Sequence, residues 1–387
     1  MKMLRIYSVL LALAMLLAGR VEAQNKKLDK TLRKADEYYK EGSFSKATKT
    51  LAKFKSGAAK IPSQNHYMLA YHIREARLSL AIGILDNFEN SLSNAMHTSR
   101  AVFGESSVGY ATTLLDIAEI YNEFGNYRLG HQFAEQAEDL LKKAEQPDQK
   151  LSGRVALVKA EAMIGQGFSN DALELLAGFD KYFSSRAVDK ETRVVDGQIK
   201  SSRLDEKEIY ARHDDYAQYR ILVGLANGKK GRISIIGRDQ DNPDIDMIYK
   251  DLESWLKSKR RFLGEGNLAD VKYRYLWAKT LEENGRRGDL EYDRILNDLK
   301  RATAPTNALA HDIYLSYIGY LLERGNRPRY LNAKLEYEKM IEKNYPKSSL
   351  HRVNLQSVEF SSKLSRDQTR NLENDAVNVL ASKTLPP

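Results

Sequence analysis

From Ala118 to Ala137 the chain reads AEIYNEFGNYRLGHQFAEQA. Good helix formers flank a central Gly125-Asn126 pair. Glycine inside a helix costs roughly 1 kcal/mol relative to alanine, so it is placed where a helix ends. The pattern therefore predicts two short amphipathic helices, with Gly125 closing the first and Asn126 helping to open the second. Such a hairpin cannot bury its apolar faces alone, so the pattern has to return along the chain.

It does return. Gly42, Gly83, Gly125 and Gly167 follow at intervals of 41, 42 and 42 residues. Seven positions before each stands an alanine: Ala35, Ala76, Ala118 and Ala160. Four before stand Tyr38, Ser79, Tyr121 and Met163, and five after stand Ala47, Phe88, Gly130 and Ala172, with Phe88 the misfit. Seven residues are two helical turns, so alanine and glycine share a side with the residue between them. The small residue admits a close partner helix and the larger one fills the wedge. A fainter version follows in Ala278–Leu281–Gly285, then in Gly325 with a displaced Ala333 and a terminating Pro346. Val223–Ile236 reads as an irregular unit turning at Gly231.

ADEYYKEGSFSKATKTL (Ala35–Leu51), the Ala118–Ala137 stretch and AEAMIGQGFSNDALELL (Ala160–Leu176) share a small–aromatic or apolar–Gly–small order. In this they resemble the tetratricopeptide repeat family. The usual period of that family is about 34 residues; the longer spacing here is similar to the kinesin light chain variant. The resemblance implies an all-α, right-handed superhelical solenoid of antiparallel helix pairs, as one array or as two joined by a hinge. On this reading residues 24–182 form an N-terminal array and 183–208, polar and without a helical stripe, a hinge. Residues 209–365 form a degenerate second array and 366–387 a capping helix and tail.

The N-terminus changes the picture of where the protein works. Lys2 and Arg5 precede an apolar run of ten, Val9–Ala18, and then Val21-Glu22-Ala23. A membrane-spanning helix needs about 20 apolar residues, so residues 1–23 read as a signal peptide cleaved before Gln24. The expected protein is exported, periplasmic or envelope-associated, with no transmembrane segment in the mature chain. It has no cysteine, which excludes disulfides, thiol catalysis and a lipidated cysteine. The net charge of +9 includes +2 from the leader. Export makes nucleic acid an unexpected partner, and an anionic surface or an acidic protein fits the charge better.

Candidate chemistry does not assemble. Counted as a calcium loop from Asp239, the run Asp239–Asp246 puts Pro243, Asp244 and Lys250 at the fifth, sixth and twelfth positions, where oxygen, glycine and glutamate are required. Gly224 to Gly228 has three intervening residues, whereas a phosphate loop has four. The basic run Lys257–Arg261 suits the end of a helix. The seven histidines are scattered and form no His-Glu-x-x-His. No enzyme, cofactor or metal site is expected.

The family resemblance instead implies a concave groove lined by the first helices of the units. Polar residues one, four and five after the alanine markers would face it: Asp36, Tyr39, Arg77, Glu119, Asn122, Glu123 and Glu161. The lysine–asparagine carboxylate clamp of chaperone-binding members is absent at these positions. The acidic third and fourth units suggest a basic protein or peptide segment as partner. The rival expectation is a glycan- or nutrient-binding envelope protein of the SusD kind, suited by 22 tyrosines but not by only two tryptophans, Trp255 and Trp277. An enzyme on a helical scaffold is a weaker third.

Overall fold

The computed structural model describes residues 25–59, 66–144, 148–186, 190–195, 198–203, 206–233, 268–283, 287–302, 308–345 and 350–361. The leader, Asp239–Asp246, Lys257–Arg261, Gly285, Pro346 and residues 366–387 lie outside them.

The chain divides into two compact units, Met1–Val102 and Phe103–Pro387. In the first, α1 spans 25–40 and is followed by α2 (Phe44–Ala58), α3 (His66–Ile82) and α4 (Phe88–Phe103). In the second come α5 (Val108–Glu123), α6 (Tyr127–Lys142), α7 (Gln149–Gln166), α8 (Ser169–Gly178) and α9 (Asp180–Arg186). A two-stranded antiparallel hairpin, β1 (Lys190–Val195) and β2 (Gln198–Arg203), interrupts the helices. Then follow α10 (Glu206–Ile233), α11 (Leu268–Glu283), α12 (Asp289–Ala302), α13 (Ala308–Glu323), α14 (Arg327–Asn344) and α15 (Leu350–Ser361). Consecutive helices pack as pairs, α5 on α6, α7 on α8, α11 on α12 and α13 on α14, giving an all-helical repeat stack with one small hairpin. Among the described residues no helix is long and apolar enough to cross a membrane.

The corners form where the glycines stand. Gly42, Gly83, Gly125, Gly167 and Gly325 all have positive φ, between 66° and 91°. Each corner closes with the same two bonds. The residue after the glycine donates to the carbonyl five positions back, as Asn126 does to Tyr121 at 2.9 Å and Asn326 to Leu321 at 2.9 Å. The glycine itself donates three back, Gly125 to Asn122 at 3.0 Å. This is the left-handed helix end that glycine adopts without a steric penalty. Asn126 and Asn326 then cap the next helices by accepting from Leu129 N (3.3 Å) and Arg329 N (3.4 Å).

The alanine markers are all buried: Ala35, Ala76, Ala118, Ala160 and Ala278. At Gly130 on α6 a Cβ atom would lie 2.0 Å from Asn122 Oδ1 and 3.1 Å from the Ala118 carbonyl. The α5–α6 crossing is thus set by the absence of side-chain bulk. Phe88, the misfit, is buried as well, at the start of α4.

The segment 183–208, expected as a polar hinge, holds the end of α9, the hairpin and the start of α10 and does not coincide with the boundary between the two units, at Val102/Phe103. Thr192, Val194, Val195 and Ile199 are β-branched, and Asp196-Gly197 is a dipeptide that two-residue hairpin loops favour. Nor does the chain turn at Gly231, because α10 continues unbroken to Ile233. Its residues Ala217, Tyr219, Ile221 and Ala226 are buried, and the tertiary contacts outweigh the helix cost of its glycines.

Candidate functional site

The seven residues expected to line one groove fall into two groups. Asp36, Tyr39 and Arg77 belong to the first unit, and Glu119, Asn122, Glu123 and Glu161 to the second.

In the first unit Asp36 accepts two hydrogen bonds from Arg74 of α3, Nε to Oδ1 at 2.7 Å and Nη2 to Oδ2 at 2.9 Å. A bidentate pair of this kind fixes the angle between α1 and α3. The Tyr39 ring lies 6.0 Å from that of Phe44, and Arg77 is half-buried. One residue before the Ala76 marker, Glu75 accepts from Tyr71 and from Ser91 at 2.8 Å. Burial alone would raise its pKa, but the bonds from Tyr71 and Ser91, with His72 and Lys55 close by, hold it down at about 2. These groups lock helices to one another.

In the second unit, two of the four predicted groove residues are also committed to the scaffold. Glu119 accepts from Arg154 Nε of α7 at 2.7 Å, and the same guanidinium reaches Asp116 at 2.6 Å. Asn122 is buried and its Nδ2 bolts α5 to α7 through the Val158 carbonyl (3.0 Å) and Glu161 Oε2 (3.2 Å). The offset of four after the alanine faces the neighbouring helix pair here, not the solvent. Glu123 and Glu161 do reach solvent.

The structure adds residues that the sequence reading missed. Glu161 lies within electrostatic reach of Lys272 on α11, besides Glu123 and Glu119. Asp312 on α13 is in reach of Lys279 and Lys272 on α11 and of Glu123 on α5. Tyr127, at the start of α6, is in reach of Lys279, Glu161 and Asp312. Side chains from α5, α6 and α7 therefore lie within electrostatic reach of side chains on α11 and α13. Glu161, Lys272 and Asp312 are exposed. Even so, surrounding protein raises the pKa of Glu161, with Glu123 and Glu119 adding to the shift against Asn122 and Lys272. Desolvation likewise pushes Asp312 up to about 6, against the pull of Lys279 and Lys272. Glu161, Lys272, Lys279 and Asp312 thus form a mixed-charge wall of side chains from α7, α11 and α13.

The wall charges differ from Glu119 in one respect. Among the described residues, the ammonium groups of Lys272 and Lys279 and the carboxylate of Asp312 make no ion pair within 4.0 Å; Lys279 Nζ sits 5.6 Å over the Tyr275 ring. Tyr275 is buried behind the wall, sharing a 2.7 Å hydrogen bond with Ser316. Lys279 stands one residue after the Ala278 marker and so at a groove offset, whereas Lys272 and Asp312 fall at no marker offset.

Comparison with solved structures finds a likeness to a Rap protein, determined in a crystal structure in complex with Competence and Sporulation Factor. The TM-score is 0.52 and the identity 10%, over 92% of this chain and 88% of that one. No protein-family model matches the chain, and no curated protein matches it. The likeness, at this identity, is one of fold: a helical-repeat architecture extending over nearly the whole chain.

Proposed function

We propose that this chain is an exported helical-repeat scaffold that binds a protein or peptide segment along the concave wall of its second unit. The observation that carries the proposal is the set of charges Lys272, Lys279 and Asp312, which make no ion pair within 4.0 Å among the described residues, with Glu161, hydrogen-bonded to Asn122, in electrostatic reach of Lys272. A fold whose work was only to hold itself together would pair them or leave them on an open face. The Rap protein likeness supports the reading by analogy of fold, since that protein was solved with Competence and Sporulation Factor bound. The leader at residues 1–23 supports export to the periplasm or envelope.

The tyrosines weigh against the glycan reading. Tyr292, Tyr314, Tyr317 and Tyr337 are buried, and the hydroxyls of Tyr314 and Tyr317 are spent on Glu336 (3.1 Å) and Asp293 (2.8 Å). They are core, not a stacking platform for sugars.

Capture from the native envelope, identification by mass spectrometry and calorimetric titration at two salt concentrations test the proposal. Affinity should weaken as the Debye length falls from about 10 Å at 0.1 M salt to about 3 Å at 1 M. It should drop further in the double variant Glu123→Lys/Glu161→Lys. Salt-independent binding that ignores both substitutions overturns the reading, and so does an intact Met1 in protein recovered from the cytosol for the exported part of it.

A further inference from the structure

The wall of the second unit carries both signs of charge at close quarters. Lys272 and Lys279 stand on one helix, seven residues apart, which is two turns or about 10 Å of axis. Asp312 stands on α13, which packs against α11, and Glu161 on α7 is within electrostatic reach of Lys272 and of Glu123. Each lysine is in electrostatic reach of Asp312, and neither closes an ion pair with it.

That arrangement discriminates between classes of ligand. A polyanion would meet Glu161 and Asp312 as it approached the lysines. A polycation would meet Lys272 and Lys279 as it approached the carboxylates. At protein-enclosed sites such like-charge encounters are screened less than on open surfaces, so each is costly. Only a ligand bearing both signs, close together, satisfies all of the groups at once. An extended chain advances about 3.3 Å per residue, so the separation of the two lysines corresponds to about three residues of ligand.

We infer that the wall is a two-signed site for a short extended peptide segment, whose carboxylates lie against Lys272 and Lys279 and whose ammonium or guanidinium groups lie against Glu161 and Asp312. This rests on the peptide-binding reading given above and sharpens it. The basic segment expected from the acidic third and fourth units becomes a segment of mixed charge.

The probe is a random peptide library displayed on phage, selected against the full chain, with enriched sequences synthesised and titrated calorimetrically. Enriched peptides should carry at least one Lys or Arg and one Asp, Glu or free C-terminus within a few residues of each other. Affinity for them should fall at least tenfold in Lys272→Glu/Lys279→Glu and in Glu161→Gln/Asp312→Asn. Helical circular dichroism and an unchanged melting temperature certify that each variant is folded, and Lys272→Gln serves if the double reversal is not. At pH 6 binding should also release protons, visible as a buffer-dependent enthalpy, because a bound cation favours the ionised form of Asp312. Peptides that are uncharged, or of one sign, or indifferent to the lysine substitutions overturn the two-signed site but leave a peptide-binding groove standing. A library that yields no enriched peptide at all overturns both.

Discussion

Between α5 and α8 the helices of the second unit meet over Ala118, Gly130, Ala134, Ala160 and Ala172, all buried. Between α11 and α15 they meet over Tyr275, Tyr292, Tyr317, Tyr337 and His311, also buried. The first region brings backbones close enough that a single added carbon at Gly130 has no room. The second holds them apart with rings, Tyr292 stacked on Tyr317 at 5.0 Å between centroids and His311 on His351 at 3.6 Å. The gap is then filled with hydrogen bonds. His311 meets the Tyr337 hydroxyl at 3.0 Å and the Tyr345 hydroxyl at 2.6 Å. The same helix-pair motif is thus held by dispersion and fit in one place and by an aromatic, polar network in the other. Tolerance to substitution should differ accordingly.

The largest effect is expected in the aromatic region. Tyr292→Ala removes a fully buried ring and should cost about 3–5 kcal/mol in urea melts, as large-to-small aromatic changes do. A loss below about 1 kcal/mol would mean that the ring stack is ornamental. In the alanine region the damaging change is the opposite one. Ala118→Leu and Gly130→Ala should each cost roughly 1–3 kcal/mol by overpacking, the second although alanine is the better helix former. If Gly130→Ala proves stabilising, the close α5–α6 approach is wrong.

Acid should separate the two regions next. Burial, aided by His351, holds the pKa of His311 well below 6.5. The groups facing its ring are Tyr337 from α14, Tyr345 beyond it and His351 from α15; Asp312 follows it on α13. A depressed base binds fewer protons folded than unfolded, so stability is full above about pH 6.5 and falls as pH drops below it. For one group the loss is up to about 1.4 kcal/mol per pH unit. Hydrogen exchange at pH 7.5 and 5.5 should show α13–α15 loosening before α5–α8, with the difference reduced in His311→Gln. The smallest effect is expected at Glu123→Ala, an exposed site, within about 0.5 kcal/mol. Glu119→Ala should exceed it, because it strands Arg154 from one of its two carboxylates. Equal costs at the two positions would remove the distinction between scaffold and wall.

This contrast also explains what could be read in the sequence. An alanine two turns before a glycine is rare enough in combination to mark a hairpin, so the corners at Gly42, Gly83, Gly125 and Gly167 were legible from spacing alone. Tyrosine-built pairs leave no such mark, because an aromatic residue tolerates small shifts of register, as the displacement at Ala333 shows. The β-hairpin was not anticipated because polarity was weighed and the β-branched residues around Asp196-Gly197 were not. At the candidate site, the offsets fall on exposed positions at Glu123 and Glu161 and on side chains bonded to α7 at Glu119 and Asn122. Offsets specify a helix face, whereas the identity of what covers that face depends on the next helix pair. Lys279 was within reach of the same rule, one residue after Ala278, whereas Lys272 and Asp312 become visible only in the folded chain.

The helix α10 has a mechanical consequence. Its 28 residues, about 42 Å at 1.5 Å per residue, pack on α7, α8 and α9 and also on α11. A stack with contacts only between neighbours would yield under tension one repeat after another, like stitches pulled singly from a seam. Here α10 acts as a splint laid along several stitches. Stretched from its ends in an optical trap, the second unit should give short extensions for α13–α15. The segment α7–α11 should then part in one long step at higher force.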